Sequence, residues 1–420
     1  MFKSIFRIAF CSLILCLACR QKSAPTQTLT YRQVAEFEPT EAVWLLWSNY
    51  DHKQGYPNEA VSLKIIAALI ENGVKVNLIL PNDSVFARVQ KQLSTKGYKG
   101  TDIGLHKLPY REFWARDILG FVASDTGLAI ADFGFNGWGY GKTTDPEILQ
   151  DEKLDENLSA HLNLPMLSTD LITEGGDLEA NGKGTLIVTE SVQKNRNPQM
   201  SLAEMEAEFK RVVGAKKIIW LKQGLYEDDQ TTTGILKNAA GEPLYNLLTT
   251  NGHTDEYVRF VNPSTVLLAA IDSADLTDPV ARENLKRLKI NEDILSKATD
   301  QDGTPLTILK MPLPRLIVKE MRPEDEVYKI ISQLTYADGS KFPVGKPVKG
   351  IAAASYLNFL IANDVVLVAA YGGENRDRDL AAQKVLQTVF PNKKILPLDV
   401  LAVNLGGGGI HCITRNQPRL

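Results

Sequence analysis

Apolar positions along this chain recur in one layout: a polar residue leads a short strand, a turn follows, and a second apolar strand returns. Asp117-Ile-Leu-Gly-Phe-Val turns through Ser124-Asp-Thr-Gly127 into Leu128-Ala-Ile-Ala, and Asp177-Leu-Glu turns through Asn181-Gly-Lys-Gly184 into Thr185-Leu-Ile-Val-Thr189. Asp255-Glu-Tyr-Val-Arg-Phe-Val turns at Asn262-Pro-Ser264 into Thr265-Val-Leu-Leu-Ala269, and Asn358-Phe-Leu-Ile turns at Ala362-Asn-Asp364 into Val365-Val-Leu-Val-Ala369. Between the hairpins, residues 58–72, 201–213 and 377–390 carry the apolar spacing of amphipathic helices. These units, with one more made by joining the glycine-rich C-terminus to Ala42-Val-Trp-Leu-Leu-Trp47, predict a radial α/β array. In such an array the leading residues Asp117, Asp177, Asp255, Asn358 and Cys412 converge on one cavity. Singly, each Asp or Asn has the ordinary explanation of a turn cap; their parallel placement is what favours a shared site. Residues 230–250, 272–307 and 319–349 interrupt the layout as insertions. The first ends directly before Gly252-His253, where it would form a lid.

The N-terminus follows a different pattern. Lys3 and Arg7 precede an apolar run over residues 8–18 that is too short to span a bilayer, so residues 1–19 read as an export signal. Leu15-Cys-Leu-Ala-Cys19 resembles the cleavage box of bacterial lipoproteins. A diacylated Cys19 would anchor the chain to a bacterial membrane outside the cytoplasm, periplasmic or at the cell surface, with polar residues 20–35 as the tether. Ordinary cleavage and secretion is the alternative. Residues 36–420 would then be the folded part, read as a single domain, although length alone also allows two. The formal net charge is −3 and no basic stripe occurs, which argues against nucleic acid as a partner. A small polar or cationic substrate stays open, as does a homo-oligomer.

Of the four cysteines, Cys11, Cys16 and Cys19 lie in the leader, so the count does not describe a disulfide framework. Cys412 remains, behind Gly406-Gly-Gly-Gly409, as a candidate nucleophile. The glycines lack the Lys-Ser/Thr of a phosphate loop and read as a close backbone approach to substrate. His253-Thr-Asp255 on a strand would put both side chains on one face. With Cys412 they supply a nucleophile, a general acid/base and a carboxylate, the minimum for covalent hydrolysis. An amide hydrolase of the Cys-His type fits this. A second carboxylate, Asp117, points instead to a planar guanidinium held between two carboxylates and attacked at carbon by the Cys412 thiolate. No cofactor is called for. Metal binding through His253 and Asp255 is a weaker reading, because His52, His106, His161 and His411 show no ligand spacing. His411, beside Cys412, would face away and be structural.

Phe113-Trp-Ala-Arg-Asp117, Glu174-Gly-Gly-Asp177, Gly252-His-Thr-Asp255 and Gly407-Gly-Gly-Ile-His-Cys-Ile-Thr414 resemble the agmatine deiminase and bacterial-type peptidylarginine deiminase family of the guanidino-group-modifying superfamily. The resemblance runs from about Glu36 to the C-terminus. It implies a five-bladed pseudosymmetric α/β propeller, the pentein fold, and chemistry without a metal. It also implies Cys412 as nucleophile, His253 as acid/base, and Asp117 and Asp255 as guanidinium ligands. Trp114, Glu174, Asp177, Asn358 and Gly408 are the expected substrate contacts, Trp114 lining the channel and Glu174 placed for the substrate's far ammonium. Ile118-Leu-Gly120 and Gly409 depart from the family pattern, and both sit near the substrate tail. Phe133-Gly-Phe-Asn-Gly-Trp-Gly139 resembles the agmatine enzymes, so agmatine, hydrolysed to N-carbamoylputrescine and ammonia on the way to polyamines, is the leading expectation. Citrullination of peptidyl arginine at the cell surface, amidino transfer, and a non-catalytic lipoprotein that binds guanidino or polyamine ligands are the alternatives.

Overall fold

Five sheets repeat one connection: an antiparallel pair followed, after a helix, by a third strand parallel to the second. In the computed structural model, which describes residues 30–48, 58–98 and 100–420, Phe121–Ala123 pairs with Leu128–Gly134 and then Met166–Ile172. Glu179–Ala180, Thr185–Thr189 and Lys217–Leu221 repeat the order, as do Val258–Asn262, Thr265–Ala270 and Thr307–Pro312. Leu360–Ala362, Val365–Ala369 and Lys394–Leu398 form another. The remaining unit joins the two ends of the chain: Thr414–Pro418 runs antiparallel to Thr40–Leu46, which is parallel to Lys75–Leu80. The α/β pseudosymmetry is thus carried by strand order. Tyr31–Leu420 is one compact unit. It includes the last residues expected in the tether, since Arg32 exchanges backbone hydrogen bonds with Ala123. Cys19 and the rest of the expected leader lie outside the described residues. No described helix is long and apolar enough to cross a membrane.

Local chemistry accounts for the repeat. The central strands Thr185–Thr189, Thr265–Ala270 and Val365–Ala369 are β-branched and aliphatic, and Thr185–Thr189 and Val365–Ala369 are buried along their whole length, as expected of strands covered on both faces. The tight turn before Thr185 is held by the Asn181 side chain, whose Oδ1 accepts from the backbone of Lys183, Gly184 and Thr185 at 2.9, 3.1 and 2.9 Å. The helix Leu202–Val212 starts at a Ser201–Glu204 capping box, and Pro279–Leu295 starts with an Asp278 cap and proline in its first turn.

Two expectations need correction. Residues 272–307 are no insertion, because the helix Pro279–Leu295 inside them is the crossover its own unit requires. Residues 230–250 and 319–349 do stand apart, and they combine into one mixed sheet in the order Leu236–Lys237, Pro243–Asn246, Val348–Ile351, Val318–Met321. That sheet has its own core of Tyr245, Leu247, Met321, Tyr328 and Phe342. The predicted strand position of His253 and Asp255 is also wrong: Asp255 lies in the 3-10 turn Thr254–Glu256, with His253 capping it. A turn rotates residues two apart away from each other, so these side chains reach different neighbours.

Candidate active site

Each unit delivers its leading residue just ahead of its first strand. Asp117 sits in the short helix Ala115–Ile118, Asp177 in the turn Gly175–Asp177, and Asp255 in the turn Thr254–Glu256. Asn358 and Cys412 precede Leu360–Ala362 and Thr414–Pro418. All five are buried.

Cys412 is the only free cysteine among the described residues. Its Sγ lies 3.6 Å from Asp255 Oδ2 and 4.0 Å from Glu256 Oε1, and Asn358 Nδ2 donates to it at 3.1 Å. Burial, then the charges of Asp255, Glu256 and Asp117, push the Cys412 thiol well above the usual thiol range. The resting group is therefore a neutral thiol. Gly408 makes the approach to it: a Cβ there would lie 2.5 Å from the Trp114 ring and 3.1 Å from Sγ, so only glycine fits between indole and sulfur.

His253 is fully buried between two carboxylates. Its Nε2 lies 3.3 Å from Glu174 Oε2 and its Nδ1 3.8 Å from Asp117 Oδ1. Burial opposes a charged ring here, but Asp117 and then Glu174 outweigh it and raise the imidazolium to about 10. Both ring nitrogens therefore carry protons near neutral pH. Nδ1 nevertheless has no hydrogen-bond partner, and neither has the buried Asp255 Oδ1. Buried polar atoms rarely stay unpaired, so this pair marks a place prepared for a ligand. Asp117 accepts from Gly176 N at 3.0 Å and Trp138 Nε1 at 2.9 Å, and burial raises it to about 6 against the pull of His253.

Above these groups lies a cavity of about 330 Å³ lined by Trp114, Asp117, Trp138, Leu248, Thr249, Thr250, Gly406, Gly407 and Cys412. No residue of that lining carries a positive charge. Asp255, Glu256 and Cys412 come within 4.8 Å of one another, close enough to ligate a metal. The fit is poor, because the Asn358 amide NH2 donates to both Sγ and Glu256 Oε1, at 3.1 and 2.9 Å, where a cation would need those lone pairs.

Comparison with known proteins agrees with this geometry. The family model for Porphyromonas-type peptidyl-arginine deiminase matches residues 32–241 and 240–418. The chain belongs to that family. It is 29% identical over 408 residues to the agmatine deiminase of Pseudomonas aeruginosa (strain LESB58), covering 94% of this chain and 98% of the relative. The solved agmatine deiminase of Enterococcus faecalis superposes with a TM-score of 0.69 at 26% identity, covering 93% of this chain and 96% of that one. A substrate-bound agmatine deiminase of C. jejuni shares the fold with a TM-score of 0.66 at 20% identity, over 95% and 99% of the two chains.

Within this deiminase scaffold the expected site residues divide into two groups. Cys412, Asp255, Asp117, Trp114, Asn358 and Gly408 meet around the cavity floor, with His253 against Asp117. The carboxylates of Asp177 and Glu174 are engaged by other partners. Asp177 spends its oxygens on Thr189 N at 3.1 Å, Gln193 Nε2 at 2.8 Å and Thr254 N at 3.3 Å, tying the His253 turn to its neighbour unit. Glu174 is ion-paired with Arg196 at 2.7 Å as well as His253. Burial opposes its charge, but Arg196 and His253 hold it at about 2, and each of its oxygens has one of these partners.

Three contributors escaped the sequence reading. Trp138 stood in a quoted motif, and its role rests on a left-handed backbone, φ 56°, between Gly137 at 65° and Gly139 at 83°. A tryptophan rarely accepts that conformation, and here it turns the indole N–H onto Asp117. Glu256 looked like one more residue of a strand. His411 does face away from the cavity, as expected, yet it bridges Asp255 at 2.7 Å and Glu36 at 2.6 Å. Burial and the charges of Arg116 and Arg259 work against a second proton on it. Two carboxylates at those distances need two N–H donors, so the imidazolium is the form that satisfies both.

Proposed function

We propose that this protein is a guanidine iminohydrolase acting through Cys412, with agmatine or a similar guanidino-alkylamine as substrate. The observation that carries the reading is the set of unpaired, buried acceptors and donors around a neutral thiol, Asp255 Oδ1 and His253 Nδ1 above all, beneath a cavity whose lining has no cation. A guanidinium supplies five N–H donors and one charge, which suits Asp117 and Asp255 on either side. The tail would pass the indoles of Trp114 and Trp138, surfaces that favour an alkylammonium and offer no partner to a carboxylate.

In this reading, the bound cation lowers the thiol's cost of ionising, the thiol releases its proton to water, and Sγ attacks the guanidinium carbon. His253 Nδ1 gives its proton to the departing nitrogen, the C–N bond breaks, and ammonia leaves a thiouronium on Cys412. Water then adds to the same carbon and returns a proton to His253. The C–S bond breaks, leaving a ureido product and a thiolate that takes a proton back from water, and the second proton of the attacking water is taken up by ammonia. Glu174 keeps His253 charged and oriented throughout, and the Asn358 amide donates to the sulfur as it regains charge. The five repeated units are proposed to close into a five-bladed propeller with this site on its axis, a closure supported by the pairing of the chain ends. Residues 36–420 would be that domain, carried on an exported chain anchored at Cys19; mass analysis of the N-terminal peptide for diacylglyceryl cysteine tests the anchor.

Ammonia and ureido release by the purified mature protein, with agmatine, free arginine and an arginine-ended peptide side by side, tests the reading. Preference for agmatine is the expected result. Preference for the peptide would make the chain a protein-citrullinating enzyme, and no release from any of them would leave a binding protein.

A further inference from the structure

The covalent route creates a traffic problem. While Cys412 holds the amidine carbon, the substrate tail still fills the cavity between Trp114, Trp138 and Thr249. Ammonia has to leave, and a water has to arrive, with that way in occupied.

A second, small chamber with room for about one water lies beside Leu248 and Thr249, and both residues line both spaces. Its lining includes Glu227, Asp228, Glu256, Ala353 and Ala354. Glu256 stands at the junction: it lines the chamber, and its Oε1 lies 4.0 Å from Cys412 Sγ. At the far end Glu227 lines both the chamber and a wider groove of about 750 Å³, bordered by Asp275, Asp278, Asn284 and Arg315. Glu256 and Glu227 thus mark the two ends of the chamber, one toward the sulfur and one toward the groove.

We propose that this chamber is the passage by which ammonia leaves and hydrolytic water enters while the substrate tail occupies the front cavity, with Glu256 as its gate beside the sulfur. The inference rests on the deiminase reading above. The lining chemistry suits the traffic. Burial and the Asp255 charge hold Glu256 well above the usual carboxyl range, and burial raises Glu227 to about 7 against the Asn284 hydrogen bond. Carboxyls that are wholly or partly protonated offer hydrogen bonds to ammonia and water without holding ammonium as a fixed counter-ion.

Ala354→Phe and, as a milder plug, Ala353→Leu narrow the chamber without touching the residues assigned to chemistry. With agmatine, the expected result is a fall in kcat of about tenfold, as when exchange of small molecules becomes rate-limiting. Acid-quenched intact mass should then show the thiouronium adduct accumulating on Cys412 at steady state. Folded variants that keep the parent kcat without adduct, or whose kcat falls with no adduct, overturn the passage. If Ala354→Phe fails to fold, Ala353→Leu decides by the same two readouts. A parent enzyme that releases no ammonia from any guanidino compound removes the deiminase reading itself, which is a different outcome from an active parent with indifferent variants.

Discussion

A neutral resting thiol makes a quantitative prediction about what activates it. Asp255 is ionised, held below the usual carboxylate range because His411 outweighs burial, and its Oδ2 is 3.6 Å from Sγ. At an effective dielectric of about 20, a unit charge at this distance opposes a thiolate by about 4 to 5 kcal/mol. A guanidinium bound at a similar distance cancels that repulsion, which is worth about three pKa units on the sulfur. Alkylation reads this directly. Inactivation by neutral iodoacetamide should be slow near neutrality and keep rising with pH beyond about 9, following the raised thiol. Inactivation by the cationic 2-chloroacetamidine should exceed it by about a hundredfold to a thousandfold near neutral pH, after division by the ratio for a free thiol. Asp255→Asn should raise the iodoacetamide rate, since a like charge is gone, and erase the advantage of the cation. An iodoacetamide profile that levels off below about pH 8, or equal normalised rates for the two reagents, would refute the argument.

The electrostatics of the other groups give further expectations. For kcat/KM, loss on the acid side should follow Asp117, which must ionise to hold the cation and does so at about 6; loss on the basic side should follow His253, which must stay protonated and does so up to about 10. Glu174→Gln removes a carboxylate 3.3 Å from His253 Nε2, so the basic limb should move to lower pH by about one unit or more, and an unmoved limb would separate Glu174 from His253. Gly176→Ala would place a Cβ 2.5 Å from His253 Nδ1 and 2.8 Å from Asp117 Oδ1, so kcat/KM should fall by about a hundredfold or more while the thermal midpoint shifts little. Unchanged kinetics would mean that those two side chains do not need their present positions. Tyr140 OH joins Thr231 at 2.7 Å and Thr249 at 3.0 Å, linking the 230–250 segment to the loop that carries Trp138. Tyr140→Phe should raise KM by about five- to tenfold with kcat little changed, and identical substrate preference and KM would make the segment a surface feature.

The repeated layout was legible because it depends on local chemistry. A capping Asp or Asn, a glycine or asparagine turn and a β-branched run each announce themselves, and together they placed all five leading residues. The helix inside residues 272–307 was not recognised as a crossover, although Asp278-Pro279 is an ordinary N-terminal signal, because three neighbouring interruptions were read as one kind. What the pattern could not tell was the destination of each carboxylate. Glu174 and Asp177 share one of the four family-like motifs, yet one serves Arg196 and His253 and the other serves backbone N–H groups and Gln193. Those partners are distant in sequence or belong to another unit, so no local period encodes them. Glu256 was hidden for the same reason: it adjoins Asp255 in a run that reads as a strand, and only the turn brings it toward sulfur.

The pseudosymmetry itself explains why the nucleophile rests uncharged. Five equivalent positions bring five short side chains inward, and three of them are aspartates, so the fold concentrates acceptors where the thiol stands. Burial raises Asp177 to about 7 against the pull of His253 and of its own hydrogen bonds, while Glu36, His411, Arg116 and Arg259 form a buried cluster beneath Asp255 that keeps that carboxylate ionised. Such a cluster costs desolvation and is held only by its mutual contacts, so it is an expensive way to build a core. Its return is a site negative enough to repel a thiolate until a cation arrives, which makes substrate binding and nucleophile activation the same event. A neutral isostere of the substrate would then be rejected for two reasons, having no charge for Asp117 and Asp255 to hold and leaving Cys412 protonated.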